Sequence, residues 1–366
     1  MGHRIAISGY YGFDNLGDEA VLFSMLQSLR REIPGLEITV LSNNPSATSR
    51  EYGVEAVNRW NTRQVADALL RSELLLSGGG SLLQDVTGGK SLFYYLGVIW
   101  LARLLRRPVM YYAQGIGPVN TPAGRRLVGM TTQGVRAVTV RDGESLIDLR
   151  AMGVQRAVEV TADPVLGLHP GDISLAEGAG ILARYGIISG SPVVGIAVRP
   201  IPGRSTWETR LVQTCDNLAR LGMQVVFIPM HTPGDLVLSQ KLGAAMLEPH
   251  VIIDEKLNVS QMLSLVGNLD LLIGMRLHAL IFAAINGVPP LGIVYDPKVE
   301  RFLNLLGIPN AGKPMDVQSD DLTRMAQNFL AGSKEMREQI SRRVLDLRNT
   351  SEQTARIAHQ ILNGRV

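Results

Sequence analysis

With a single cysteine in 366 residues, Cys215 has no partner for an internal disulfide and there is no basis for a cysteine-rich metal site. It falls on a predicted helix, Thr206 to Leu221, where a buried and inert thiol is expected. Excess charge of one sign is also missing: 36 basic against 33 acidic residues leave a net charge of only +3. That is compatible with an anionic substrate or membrane surface and too weak to argue for nucleic acid. No His/Asp/Glu spacing typical of a metal site occurs, so no metal is expected. Long apolar runs are absent. The longest, Leu92 to Leu105, is broken by Arg103 and falls short of the ~20 residues that cross a bilayer. The first residues enter a strand pattern at once, without a charged n-region and an apolar h-region. No signal peptide is therefore expected, and the protein reads as cytoplasmic. No short-period repeat or low-complexity tract is visible.

Apolar residues (46%) and 38 glycines are what the chain does have, the glycines gathering after predicted strands. The length suits two domains of ordinary size. Arg4 to Ser8 reads as a strand leading into GYYGFDNLGDEA, Gly9 to Ala20, then a helix to Arg31 that Asp18 can cap. This turn lacks the Gly-x-Gly-x-x-Gly spacing, so a dinucleotide is not supported; Asn15 is its polar residue of interest. Glu37 to Leu41 is a strand and Gln64 to Arg71 a short helix. Glu73 to Ser77 is a strand entering SGGGSLLQD, Ser77 to Asp85, whose glycines either turn N–H groups toward a ligand or serve packing. Pro108 to Ala113 ends in QGIGP, Gln114 to Pro118. Ala137 to Val140 ends in RDGES, where Asp142 or Ser145 can cap the next helix and Arg141 projects from the strand end. Val158 to Thr161 completes one doubly wound domain, residues 1–168.

Residues 169–190 read as a connection with a helical stretch at Leu175 to Tyr185. A second domain, residues 191–318, then restarts the pattern. Pro192 to Val198 leads to RPIPGR, Arg199 to Arg204; Gln224 to Pro229 leads to MHTPGD, Met230 to Asp235; Val251 to Asp254 is a short strand. The unit LDLLIGMRLHALIFAAINGVPPLGIVYDPK, Leu269 to Lys298, follows. It comprises a strand to Ile273, a helix from Leu277 to Ile285 apolar at nearly every position, a stop at Asn286-Gly287 and Pro289-Pro290, and a strand from Leu291 to Tyr295. Parallel strands place Arg276, His278 and Lys298 at the carboxyl edge of the sheet, where open α/β sheets bind ligands. Arg276 and His278 also stand at a helix N-terminus, which favours anions. Arg199 and His231 lie at strand ends on the same side. Singly, each fits a snorkelling arginine or a core histidine; together they favour a site for an anionic substrate. Residues 319–366 read as helices, Asp321 to Ala331 and Lys334 to Leu362. The basic residues of the last one are read as an ion-paired, solvated face, with contact to anionic phospholipid as the alternative. The Trp100-containing segment is read as a core helix, again with peripheral membrane contact as the alternative.

From GYYGFDNLGDEA through SGGGSLLQD, QGIGP and VRDGES to GMRLHALIFAAINGVPPLGIVYDPK, the chain resembles the polysaccharide pyruvyltransferase family. Within it the sequence is similar to the CsaB type, which acts on bacterial secondary cell-wall polymers that anchor surface-layer proteins. The resemblance implies an α/β fold of two Rossmann-like domains in a glycosyltransferase-B-like arrangement with a C-terminal helix. It implies phosphoenolpyruvate as co-substrate in place of a nucleotide sugar, and no cofactor. The product would be a 4,6-ketal of pyruvate on N-acetylmannosamine of a lipid-diphosphate-linked saccharide, with phosphate released. Carried over, Arg199, Arg276, Leu277, His278 and Lys298 bind phosphoenolpyruvate, and His231 joins them from its place on the same edge. His278 is then the general acid or base, because histidine is the side chain suited to proton traffic near neutrality. Arg276 and Lys298 stabilise the leaving phosphate. The acceptor side is assigned to Asp14, Asn15, Asp18, Gly79, Gly80, Gln114 and Arg141, Arg141 alternatively bracing its domain. The runner-up is a glycosyltransferase or epimerase of the same architecture using a nucleotide sugar, although the Glu-x7-Glu pair frequent in retaining enzymes is missing. A non-catalytic sugar-binding or regulatory module that kept the fold ranks last, since the cationic cluster is intact.

Overall fold

Uninterrupted apolar runs such as Ile5–Ile7, Leu74–Leu76 and Leu271–Ile273 suit strands covered on both faces, and in the computed structural model they are fully buried. The structure describes residues 2–85, 89–187, 190–201 and 206–365; residues 202–204 of the RPIPGR turn lie outside these. The chain forms two units, Met1–Leu168 with Leu347–Val366, and His169–Asp346.

Unit 1 runs β1 (Arg4–Ser8), α1 (Leu16–Glu32), β2 (Glu37–Ser42), α2 (Pro45–Tyr52), β3 (Glu55–Asn58), α3 (Thr62–Arg71), β4 (Leu74–Gly78) and α4 (Gly89–Leu104). It continues with β5 (Val109–Gln114), α5 (Pro122–Gln133), β6 (Ala137–Val140), α6 (Gly143–Ala151) and β7 (Glu159–Val160). Unit 2 begins with α7 (Leu175–Arg184), β8 (Val193–Ala197), α8 (Thr206–Arg220), β9 (Gln224–Phe227), α9 (Gly234–Ala245), β10 (His250–Ile252) and α10 (Val259–Gly267). Then come β11 (Leu271–Gly274), α11 (Leu277–Ile285), β12 (Pro290–Gly292), α12 (Pro297–Leu306), α13 (Ser319–Ala331) and α14 (Ser333–Leu362). From Leu347 onward α14 belongs to unit 1, where Ser351 Oγ donates to Asp163 O (3.2 Å) and Thr354 Oγ1 to Thr161 Oγ1 (3.1 Å).

Among the described residues the sheet of unit 1 is seven-stranded, ordered β3-β2-β1-β4-β5-β6-β7, and that of unit 2 five-stranded, ordered β10-β9-β8-β11-β12. All pairs are parallel, with registers such as Ile5↔Leu74 and Ile196↔Ile273. In both sheets the chain order reverses between the unit's first strand and its fourth, β1 beside β4 and β8 beside β11. Such a switch point opens a crevice at the carboxyl ends of the strands.

Several local expectations change. Asn15, not Asp18, caps α1: its side chain accepts from Gly17 N (3.3 Å), leaving Asp18 in the first turn. The last strand of unit 2 stops at Gly292 rather than Tyr295, because Val294 N donates to Gly312 O and Tyr295 N to Ile293 O, drawing the chain out of the ladder. Of the two caps open for α6, Asp142 takes the role, accepting from Ser145 N (2.8 Å). As its pattern implies, α11 is buried from Ala279 to Ile285. The helix around Trp100, α4, is only half a core helix: Leu92, Tyr95, Leu96, Ile99 and Ala102 are buried, while Phe93, Trp100 and Leu104 face solvent.

Candidate active site

In unit 2, β8 and β11 end side by side, Gly274 opposite Ala197, and Met275 N donates to Ala197 O (2.9 Å). Arg199 and Arg276 therefore follow from adjacent strand ends. Arg276 is the N-cap of α11 (φ −86°, ψ 116°), and Leu277 and His278 are its first two residues. First-turn N–H groups have no partner inside a helix and, with the dipole, favour an anion there. All three residues are half-buried, and His278 Nε2 is shielded from solvent. Arg276 Nε donates to Asp235 Oδ2 (2.9 Å) and its Nη2 to Asp235 Oδ1. Asp235 is fully buried and accepts a further bond from Met230 N (3.3 Å). This two-point contact fixes the plane of the guanidinium and engages its Nε and Nη2 edge.

Arg199 lies over the Tyr295 ring, Cζ 4.6 Å from the centroid, a cation–π contact between the turns after β8 and β12. Its Nε is shielded from solvent and has no hydrogen-bond partner among the described residues. Half-buried Lys298 falls in the first turn of α12, where Asp296 accepts from its backbone N–H (2.9 Å). His231 ends the segment after β9, and a Cβ on Gly234 would lie 3.9 Å from both His231 Nδ1 and Pro200 Cγ. Arg199, His231, Arg276, Leu277, His278 and Lys298 thus all stand at the carboxyl edge of one sheet. Asp235 is the residue that sequence reasoning passed over. It sits inside the quoted MHTPGD stretch, and an acid opening a helix after a strand was its visible signal.

In unit 1 the corresponding edge holds the turn after β1 and the glycines after β4. Asp14 is exposed with φ 57°, a left-handed conformation that aspartate tolerates. Asn15 Nδ2 donates to Asp18 Oδ2 (2.6 Å), and a Cβ on Gly80 would lie 3.2 Å from Asp18 Oδ1. The β1 turn and the β4 glycines are therefore adjacent. Gly79 has φ +88°, and a Cβ there would meet Val21 Cγ1 at 2.2 Å, so this glycine serves close packing on α1. Gln114 is fully buried and donates from Nε2 to Gly80 O (3.1 Å), supporting the glycine turn from beneath. Arg141 is buried, bonded to Asp163 (3.2 Å) and Ser81 Oγ (2.8 Å), with Asp142 at 3.6 Å. In this arrangement it braces the unit, the second of the two roles considered for it.

Beside this edge lies a cluster that the sequence reading missed. Arg59, only 4% exposed, is ringed by Tyr94, Phe13, Trp60 and Tyr95, its Cζ 4.1, 5.1, 5.1 and 5.3 Å from their centroids. Its Nη1 donates to Gly9 O (2.9 Å). Tyr10 stacks on Phe13 (4.1 Å, 6°), and Trp60 Nε1 donates to Asn43 Oδ1 (2.8 Å), which holds the exposed indole in place. Burial pushes the Tyr95 hydroxyl up to about 12 against the opposing pull of Arg59, so it stays protonated at physiological pH. Burial also raises Glu19, although Gly12 N and Tyr52 OH donate to it. Aromatic faces beside asparagine and aspartate edges suit a saccharide, which has apolar C–H faces and hydroxyl rims.

Residues 15–297 match the family model described as polysaccharide pyruvyl transferase. The chain belongs to the polysaccharide pyruvyl transferase family. The match runs from the cap of α1 to the start of α12 and so includes Arg199, His231, Arg276, Leu277 and His278, ending one residue before Lys298. Among curated relatives of this pyruvyl transferase, the amylovoran biosynthesis protein AmsJ of Erwinia amylovora is 21% identical over 403 residues, covering 93% of this chain and 95% of that one. Among solved structures it resembles the UDP-GlcNAc 2-epimerase from Methanocaldococcus jannaschii (TM-score 0.68, 11% identity, 98% and 99% of the two chains covered). The S. aureus MnaA–UDP co-structure is similar at TM-score 0.66 and 12% identity, covering 100% and 98%. These likenesses establish a fold of two parallel-sheet α/β domains shared with glycosyltransferase-B enzymes. Family membership makes the chain a transferase of polysaccharide biosynthesis.

Proposed function

We propose that this pyruvyl transferase takes phosphoenolpyruvate as donor and sets a pyruvate ketal across two hydroxyls of a sugar, releasing phosphate. The acceptor we propose is N-acetylmannosamine of a lipid-diphosphate-linked cell-wall polymer precursor, bridged at positions 4 and 6. The observation that carries the donor reading is the cationic edge of unit 2, where Arg199 and Arg276 follow adjacent strands at a switch point, beside Lys298 and the N-terminus of α11. Phosphoenolpyruvate bears about three negative charges on a small frame, and such a ligand needs several cations and N–H donors along one wall.

The reaction balances without any further reagent. The donor methylene carbon gains a proton, C2 becomes cation-like, and a sugar hydroxyl oxygen bonds to it. The C2–O bond to phosphate breaks, and the second hydroxyl closes the ring. The two hydroxyl protons end on the new methyl group and on phosphate. In this scheme His278 moves protons, Arg276 and Lys298 hold the departing phosphate, and Arg199 meets the carboxylate. Asp235 keeps Arg276 in orientation, a positioning role. On the acceptor side, Asp14, Asn15 and Asp18 with the Arg59-centred aromatic cluster would bind the sugar.

Titration of the full-length protein with phosphoenolpyruvate in a calorimeter tests the donor. Saturable binding that weakens about tenfold or more in Lys298→Ala is expected, the loss of one charge-assisted contact. Absence of binding by the unaltered protein would overturn the proposal.

A further inference from the structure

The helix α4 is apolar on both sides. Its inner side joins the core, and outward it presents Phe93, Gly97, Trp100 and Leu104, spaced four, three and four residues apart along one stripe about 16 Å long. Phe93, Trp100 and Leu104 are 56%, 42% and 78% exposed, and Met130 on the adjoining α5 is 61% exposed. Trp100 Nε1 donates to Thr131 Oγ1 (2.8 Å), which joins the two helices at the middle of this surface. A helix apolar all round is ordinarily buried or in lipid, and exposed apolar area of this extent marks an interaction site.

Charge identifies the partner. From Val86 to Arg141 the chain has no acidic residue, while it carries eight of the 36 basic ones. The remainder of the chain is therefore net negative. Arg103 and Arg106 flank the end of the stripe, and Arg126 lies one turn before Met130 on α5; all three are exposed. Apolar and aromatic side chains rimmed by arginines at the Leu104 end, with Asp85 beside Phe93 at the other end, match the headgroup and upper acyl region of an anionic bilayer. No helix among the described residues is long and apolar enough to cross a membrane.

We infer that the outward face of α4 and α5 docks this protein on the surface of an anionic phospholipid membrane. Trp100 and Leu104 enter the acyl boundary, and the arginines pair with lipid phosphates. Neither donor nor acceptor takes part, so the inference stands independently of the proposed reaction.

Co-sedimentation of the full-length protein with phosphatidylcholine vesicles, with or without about 30 mol% phosphatidylglycerol, tests it. Binding to the anionic vesicles alone is expected, weakening as salt is raised. Two double variants, Phe93→Ser/Leu104→Ser and Arg106→Glu/Arg126→Glu, should each bind at least about tenfold less with unchanged melting temperature. Tryptophan emission should shift to the blue with anionic vesicles, and the shift should vanish in Trp100→Phe. No binding, or binding indifferent to both double variants, would overturn the inference. So would self-association abolished by the same variants, which would give the face to a second copy of the chain.

Discussion

His278 and Arg276 are two residues apart, yet their surroundings give them different work. Arg276 is locked on both oxygens of a fully buried carboxylate, whereas His278 is the second residue of α11 and half-buried. If His278 moves protons, His278→Ala should lower kcat by about 10²–10⁴-fold while phosphoenolpyruvate affinity in a calorimeter changes little. Equal loss of both would make it a binding residue only. Asp235→Ala leaves the half-buried Arg276 guanidinium and the buried Met230 N–H without this acceptor, and should cost about 1–3 kcal/mol of stability in urea denaturation. It should also weaken donor binding; full stability with normal binding would remove Asp235 from its positioning role. The arginine and histidine were legible because they sit in one short motif. Asp235 lies 41 residues from its partner, and no local pattern announces that pairing. The Arg59 cluster was hidden for the same reason, its rings coming from the turn after β1, the turn after β3 and α4.

Two glycines show how an element's environment decides the sign of one substitution. Gly79, after β4, has φ +88° and no room for a Cβ against Val21. Gly79→Ala should therefore lower stability by about 2 kcal/mol or more. Gly97, inside α4, would place a Cβ in open space. Gly97→Ala should raise stability by about 0.5–1 kcal/mol, the helix-propensity difference. Denaturation midpoints of the two variants under one set of conditions check the pair, and shifts of equal sign would contradict it. Strand positions were readable because parallel strands are continuous apolar runs. For α4, the same apolar richness that suggested a core helix conceals its outer side, because periodicity carries no information when both faces are apolar. The end of β12 was overrun because Ile293, Val294 and Tyr295 continue a strand-like pattern, while the hydrogen bond to Gly312 that ends the strand comes from distant sequence.

At the scale of the whole molecule, two parallel sheets repeat one construction, each with a switch point between its first and fourth strands. Alternation of strand, glycine-rich turn and helix was enough to read that architecture and to place Arg199, His231, Arg276, His278 and Lys298 on one edge. The chain leaves unit 1 after Leu168 and rejoins it within α14 at Leu347, a return that a solvated helical pattern does not signal. Charge is uneven at this scale as well, all positive along α4 and α5 and net negative elsewhere. The most direct test of the central claim is phosphate release from phosphoenolpyruvate, with and without a synthetic N-acetylmannosaminyl-N-acetylglucosamine diphosphate lipid, combined with product mass. The account predicts release that depends on the saccharide, matched mole for mole by a product heavier by one pyruvate less water. Turnover of a nucleotide sugar, with phosphoenolpyruvate left intact, would contradict it.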